Sequence, residues 1–252
     1  MAIIFGCNVG VFDAVNAAVP GSVGCRSYRD TVNDIPAAWP GKPGSKSVVS
    51  LRPHPDDLLS GALDDRIRVL LAVAEPDAML TVWHEAGTLD YPDFITPSVV
   101  RRMHVKMQAL CTGTSVAYGC IICGPPAKKE IWVPRRPHPL DWYGVDVYMS
   151  AVTTKPDGSV DVPRLRHHMD EFRRLAQERS GTDRPRIVVP ETNSLHPAAR
   201  PQWFRAVAEW LAGNGGERML TFWKQGGSSG GPWLPDDAAT IGALKELKAL
   251  HG

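Results

Sequence analysis

No run in this sequence approaches the roughly 18 consecutive apolar residues that a membrane-spanning helix needs, so it predicts no span and no membrane partner. The opening, Met1-Ala2-Ile3-Ile4-Phe5-Gly6, has neither a basic segment nor an apolar stretch of signal-peptide length. The expected location is therefore cytoplasmic or phage-virion-associated, without classical secretion, and membership of a larger assembly stays open. An excess of one charge is missing as well. The 28 basic and 27 acidic residues leave a net charge of +1, which argues against a nucleic-acid partner, since such proteins carry a basic patch or stripe. Cysteine is sparse and odd in number (Cys7, Cys25, Cys111, Cys120, Cys123), which fits reduced thiols and not a disulfide framework. Cys120-Ile121-Ile122-Cys123 has CxxC spacing, but it lies in an apolar run with no second CxxC, so both read as buried structural cysteines. Zinc and calcium signatures are lacking, and the His167-His168 pair falls on the exposed side of a helix. No cofactor or metal is expected.

What remains is a globular chain of 252 residues, 43% of them apolar, long enough to bury a substantial core. Its periodicity alternates between strand and helix. Strands are predicted at 3–9, 22–28, 47–52, 79–85, 115–122, 142–148, 186–191 and 218–223. Between them run a short helical piece over 12–19 and a weakly helical, proline-rich connection over 34–39. Leu59, Leu63, Ile67, Leu70 and Ala74 form one helical stripe; Val100, Met103, Met107 and Leu110 form another, with Thr96 as its N-cap and Pro97 at its first position. Leu165, Met169, Phe172 and Ala176 mark a further helix, as do Trp203, Val207, Trp210 and Leu211, and then Ile241, Leu244, Leu247 and Leu250. After the fifth strand, Pro125, Pro126, Pro134, Pro137 and Pro139 make a long loop. Eight strands, each followed by a helix or a helix-sized connection, predict an α/β fold: one (β/α)8 TIM barrel over residues 1–252. An open doubly wound sheet would carry a glycine-rich phosphate turn after its first strand, and Gly10-Val11-Phe12-Asp13 is not one.

In such a barrel the C-terminal strand ends meet at one rim, where the active site forms. Polar residues gather there: Arg26 and Arg29, Arg52 and His54, His84 and Glu85, Asp146 and Tyr148, Glu191 and Asn193, Lys224 and Gln225. Two of these strands, Leu80-Thr81-Val82-Trp83-His84-Glu85 and Ile187-Val188-Val189-Pro190-Glu191, end an apolar run on a glutamate. Desolvating a carboxylate there is costly unless it has a partner or a task. Paired carboxylates across a barrel suit cleavage of a glycosidic bond, one protonating the leaving oxygen and the other attacking the anomeric carbon or activating water. Trp142, Trp223 and Trp233 lie at strand ends or rim loops, where a flat ring can stack on a sugar.

An acid/base glutamate ending strand four and a nucleophile ending strand seven resemble the clan A glycoside hydrolases. His84 immediately before Glu85 resembles glycoside hydrolase family 26, best known for β-mannanases. Tyr143-Gly144-Val145-Asp146-Val147-Tyr148 is similar to that family's strand-six motif, and Trp223 stands where such enzymes place a tryptophan beneath the sugar ring. The resemblance implies a retaining glycoside hydrolase acting on a carbohydrate substrate, a polysaccharide or cell-wall glycan. Glu85 would be its acid/base, Glu191 its nucleophile and Tyr148 the hydroxyl orienting the nucleophile. His84 and Trp223 would line the subsite, and Arg52, Asp146, Asn193 and Trp142 are further candidates for substrate contact. Pro190, directly before the nucleophile position, departs from the family pattern, and the chain is short for that family.

Other readings of the same residues stand beside this one. Glu85 would pair with Arg52, Glu191 would cap the next turn, and Asp146 would hold an arginine or a backbone amide. A non-catalytic glycan-binding barrel needs no chemistry from either glutamate. A barrel acting on phosphorylated metabolites would use the glycine-rich segment 226–231 for phosphate.

Overall fold

Short apolar runs rich in Val, Ile and Leu form strands that are buried on both faces, the pattern of a parallel sheet covered by helices. In the computed structural model these are β1 (Ile4–Asn8), β2 (Gly24–Tyr28), β3 (Lys46–Leu51), β4 (Met79–Val82), β5 (Ala117–Cys123), β6 (Trp142–Tyr148), β7 (Ile187–Asn193) and β8 (Gly216–Thr221). The structure describes residues 2–86, 91–124, 129–194, 196–221 and 237–252. Each strand pairs in parallel with the next. Pairing of β1 with β8, from Ile4 opposite Arg218 to Cys7 opposite Thr221, closes the barrel. The expected TIM barrel is what forms.

Helices pack around it through their apolar stripes: α1 (Phe12–Ala18), α2 (Pro55–Ser60), α3 (Asp64–Ala72), α4 (Pro97–Cys111), α5 (Val162–Ser180), α6 (Arg200–Gly213) and α7 (Ala238–His251). Among the described residues no helix is long and apolar enough to cross a membrane. The α4 start is as expected, with Thr96 accepting from the Val99 N–H and Pro97 at the first position. The single helix expected over 59–74 is two. Gly61, at φ 89°, takes the left-handed conformation that ends α2, and α3 restarts at Asp64. The 29–45 connection forms no helix, and the described part of the loop after β5 includes a short 3-10 turn, Glu130–Trp132.

The lumen is filled from below. Val48, Met79, Ile121, Trp142 and Val188, one from each of β3 to β7, form a separate apolar cluster, all 3% exposed or less. Trp142 spreads over two strands because Gly119 and Gly144 leave it room: an added Cβ would lie 2.2 Å and 3.0 Å from its ring. Trp142 begins β6 and is fully buried, so it belongs to the barrel floor. Its expected contact with substrate is corrected by that position at the strand's N-terminal end.

Two strands lose regular geometry near the rim. β4 stops at Val82, three residues before the predicted end, because Trp83 and Glu85 adopt left-handed φ values of 45° and 57°. Such a conformation in a residue other than glycine costs on the order of 1 kcal/mol and persists only when the surroundings hold it. Here Trp83 donates from its backbone to the Leu51 carbonyl (3.0 Å) and from its indole to the Pro53 carbonyl (2.8 Å). Glu85 donates its N–H to the Ile121 carbonyl (3.0 Å). In β7 the register slips against both neighbours over Pro190–Glu191. Proline has no ladder donor, and a bulge is where a strand tolerates one. Gly144 on the neighbouring β6 makes space, since an added Cβ would sit 2.9 Å from the Pro190 ring.

Candidate active site

The β7 bulge delivers Glu191 into the mouth of the barrel, 6% exposed. Tyr28 at the end of β2 donates its hydroxyl to Oε1, and Tyr148 at the end of β6 donates to Oε2. The Arg26 guanidinium lies 3.6 Å from Oε1 and is itself only 1% exposed. Two hydroxyl donors and a buried cation therefore surround this carboxyl group and fix its orientation.

Glu85 has a different surrounding. It is 9% exposed, and burial first, then the charge of Glu191, raise its carboxyl from the ordinary range to about 7. The Cys123 thiol, Arg26 and Asp146 pull the other way. A carboxyl group in this environment keeps its proton close to neutral pH, which a general acid requires.

One carboxylate oxygen from each of Glu85, Asp146 and Glu191 lies within 4.8 Å of the other two. Retaining glycosidases hold their carboxyl pair about 5 to 5.5 Å apart, and inverting enzymes leave about 6.5 to 9.5 Å for a water. These oxygens of Glu85 and Glu191, within 4.8 Å of each other, approach more closely than either range. A trio this close can in principle share a cation. Here, however, Arg26 already supplies positive charge and the tyrosine hydroxyls engage both oxygens of Glu191.

Asp146, 1% exposed, is hydrogen-bonded to the Glu85 carboxyl and to the Glu191 backbone. Burial, Glu191 and Glu85 push its carboxyl well above the usual range against the pull of Arg26. It therefore belongs to the same buried carboxyl cluster as the two glutamates. His84, 5% exposed, packs its ring 5.2 Å from that of Tyr28. Burial and the charges of Arg26 and Arg52 hold it well below the ordinary histidine range, so it is a neutral imidazole. Tyr91 fixes its backbone by donating to the His84 carbonyl.

Arg52 reaches the rim without meeting Glu85. It pairs with Asp30 at 3.1 Å and lies over the Trp83 and Tyr91 rings, 5.8 and 5.3 Å from their centroids. Asn193 is fully buried, and its amide oxygen accepts from the Ser194 N–H at 2.7 Å. Trp223, Trp233, Lys224, Gln225 and the 226–231 segment lie outside the described residues.

Sequence reasoning missed three participants. Tyr28 was not singled out, although two-residue alternation puts it on the same face as Arg26. Arg26 was seen at the rim without a role. Cys123, read as an inert buried cysteine, hydrogen-bonds the Glu85 carboxyl and is half-buried at the end of β5.

No protein-family model and no curated protein sequence matches the chain. In fold it is similar to a GH26 β-mannanase from Bacteroides ovatus, at a TM-score of 0.63 and 10% identity, covering 98% of this chain and 88% of that one. It is similar to a GH5-4 broad-specificity endoglucanase from Ruminococcus flavefaciens, at 0.61 and 10% identity over 98% and 96%. Cel5A of Thermotoga maritima, solved with cellobiose and with mannotriose, matches at 0.61 and 12% identity over 96% and 97%. At such identities the likeness shows a shared fold, the eight-stranded (β/α)8 barrel.

Proposed function

We propose that this chain is a retaining glycoside hydrolase, with Glu191 as nucleophile and Glu85 as acid/base. The observation that carries the reading is the pair itself: two carboxyl groups within 4.8 Å, one held by two hydroxyls and an arginine, the other raised to about 7. Glu85 gives its proton to the glycosidic oxygen as the bond from that oxygen to the anomeric carbon breaks. Glu191 attacks the opposite face of that carbon and becomes an ester, and the aglycone leaves as a neutral alcohol. Glu85, now a carboxylate, takes a proton from water. The water oxygen attacks the anomeric carbon, the ester bond breaks and Glu191 is restored, with the starting configuration kept. Tyr28 and Tyr148 orient Glu191 for the attack.

The structural neighbours include β-1,4-glucanases and mannanases, which supports a β-linked glucan or mannan as substrate. The test uses 2-deoxy-2-fluoro β-glycosides of glucose and mannose with good leaving groups, followed by peptide mapping of the labelled protein. An ester on Glu191 is expected. An ester on another residue, or product of inverted configuration from a cleaved glycan, overturns the reading.

A further inference from the structure

We infer that Cys123 is a positioning residue for the acid/base: its thiol holds the Glu85 carboxyl from the β5 side. The inference rests on the reading of Glu85 given above. Its first support is backbone geometry. The Glu85 N–H docks on the Ile121 carbonyl of β5 at 3.0 Å, and Cys123 is the next residue of β5 on the same face. In the β5–β6 ladder Cys123 stands directly opposite Asp146, whose carboxyl oxygen is within 4.8 Å of Glu85. Glu85 is thus bracketed by neighbouring strands, and the thiol hydrogen-bonds it. The second support is chemical. Burial and the nearby carboxylates hold the thiol well above its ordinary range, so it stays S–H, a donor and a poor nucleophile, wherever the enzyme works.

A donor to a carboxyl group favours its charged form. Removing it should therefore raise the Glu85 titration, and the alkaline limb of kcat/KM, which reports the free enzyme's acid, should move up with it. The other groups facing Glu85 stay in place: Glu191 on β7, Arg26 on β2, Asp146 on β6, Tyr148 at its end and Tyr91 after β4. A modest hydrogen bond corresponds to a shift of roughly half a pH unit.

The experiment compares Cys123→Ala and Cys123→Ser, each with a pH profile of kcat and KM on a β-glycan and a direct carbon-13 NMR titration of the Glu85 carboxyl. In the alanine variant the titration and the limb should rise together, and kcat should fall several-fold with KM nearly unchanged. The serine variant should return both toward the starting value, because its hydroxyl donates in the same place. An unmoved Glu85 titration in Cys123→Ala, or a serine variant that behaves as alanine does, overturns the inference. If the NMR titration moves while the pH profile does not, Cys123 does hold Glu85, and it is the role of Glu85 as acid that fails. Slow alkylation by iodoacetamide at neutral pH is expected of the unmodified thiol, and rapid alkylation would contradict it.

Discussion

At the barrel floor, strands β3 to β6 run in register and close the lumen with Trp142 laid over two glycines; at the rim, both strands that deliver a glutamate have abandoned regular geometry. β4 ends in a left-handed turn at Trp83 and Glu85, and β7 bulges at Pro190. An unbroken strand sends alternate side chains straight to the lumen or to the helices. Breaking the ladder lets a side chain be aimed between those directions, at some cost in backbone energy. The two glutamates also differ from each other, one rich in donors and the other poor. Chemically identical residues thereby meet different surroundings, and that of Glu85 raises its carboxyl to about 7.

The sharpest test of that contrast compares the two amides. Glu191→Gln should reduce turnover by roughly 10^4-fold or more on every substrate, since no covalent intermediate forms. Glu85→Gln should cost about 10^2- to 10^4-fold on natural glycans, the usual worth of a general acid. With aryl glycosides that leave unassisted, its first step should be nearly unimpaired. Equal losses for both variants on both substrate types would erase the distinction. Next in size, Tyr28→Phe and Tyr148→Phe each remove one donor from Glu191. A hydrogen bond to a charged group contributes about 1.5 to 3 kcal/mol, so each should lower kcat/KM by roughly 10- to 100-fold, measured by steady-state kinetics. A Tyr28 variant of full activity would leave Tyr148 as the sole orienting hydroxyl.

The smallest expected effect is thermal. The folded protein holds a proton on Glu85 up to about pH 7, whereas the unfolded chain releases it near the ordinary carboxyl value of 4.5. Between those values the folded state binds more protons, so this group's contribution to stability falls as pH rises through the window. Glu85→Gln should flatten that slope and raise Tm above the parent's at pH 8, as read by calorimetry. A steeper slope in the variant would contradict the assignment.

The barrel was legible because its strands are continuous apolar runs and its helices carry clear stripes, and β6 begins and ends where alternation put it. What escaped had local causes. No glycine announces the left-handed turn at Trp83 and Glu85, so β4 read as three residues longer. Gly61 does carry a signal, but the apolar stripe on either side of it concealed the break. Trp142 stands first in the predicted strand, so counting it among sugar-stacking rings overlooked that the rim lies at the other end. The glutamate pair and Tyr148 were legible from their strand-end positions. Tyr28 joins the site through a contact across the closed barrel and Cys123 through the neighbouring strand, each with a residue distant in sequence.

Arg26 lies 3.6 Å from Glu191 in a nearly solvent-free lumen, and this has a consequence for the timing of the proposed cycle. Once Glu191 is esterified it is neutral, and the guanidinium loses its nearest counter-ion with no bulk water to screen the loss. The surplus positive charge then falls on the remaining carboxyl groups and draws the Glu85 proton off more readily than in the resting enzyme. One fixed cation would so turn a group that must first be an acid into one that must next be a base, with no movement of the chain.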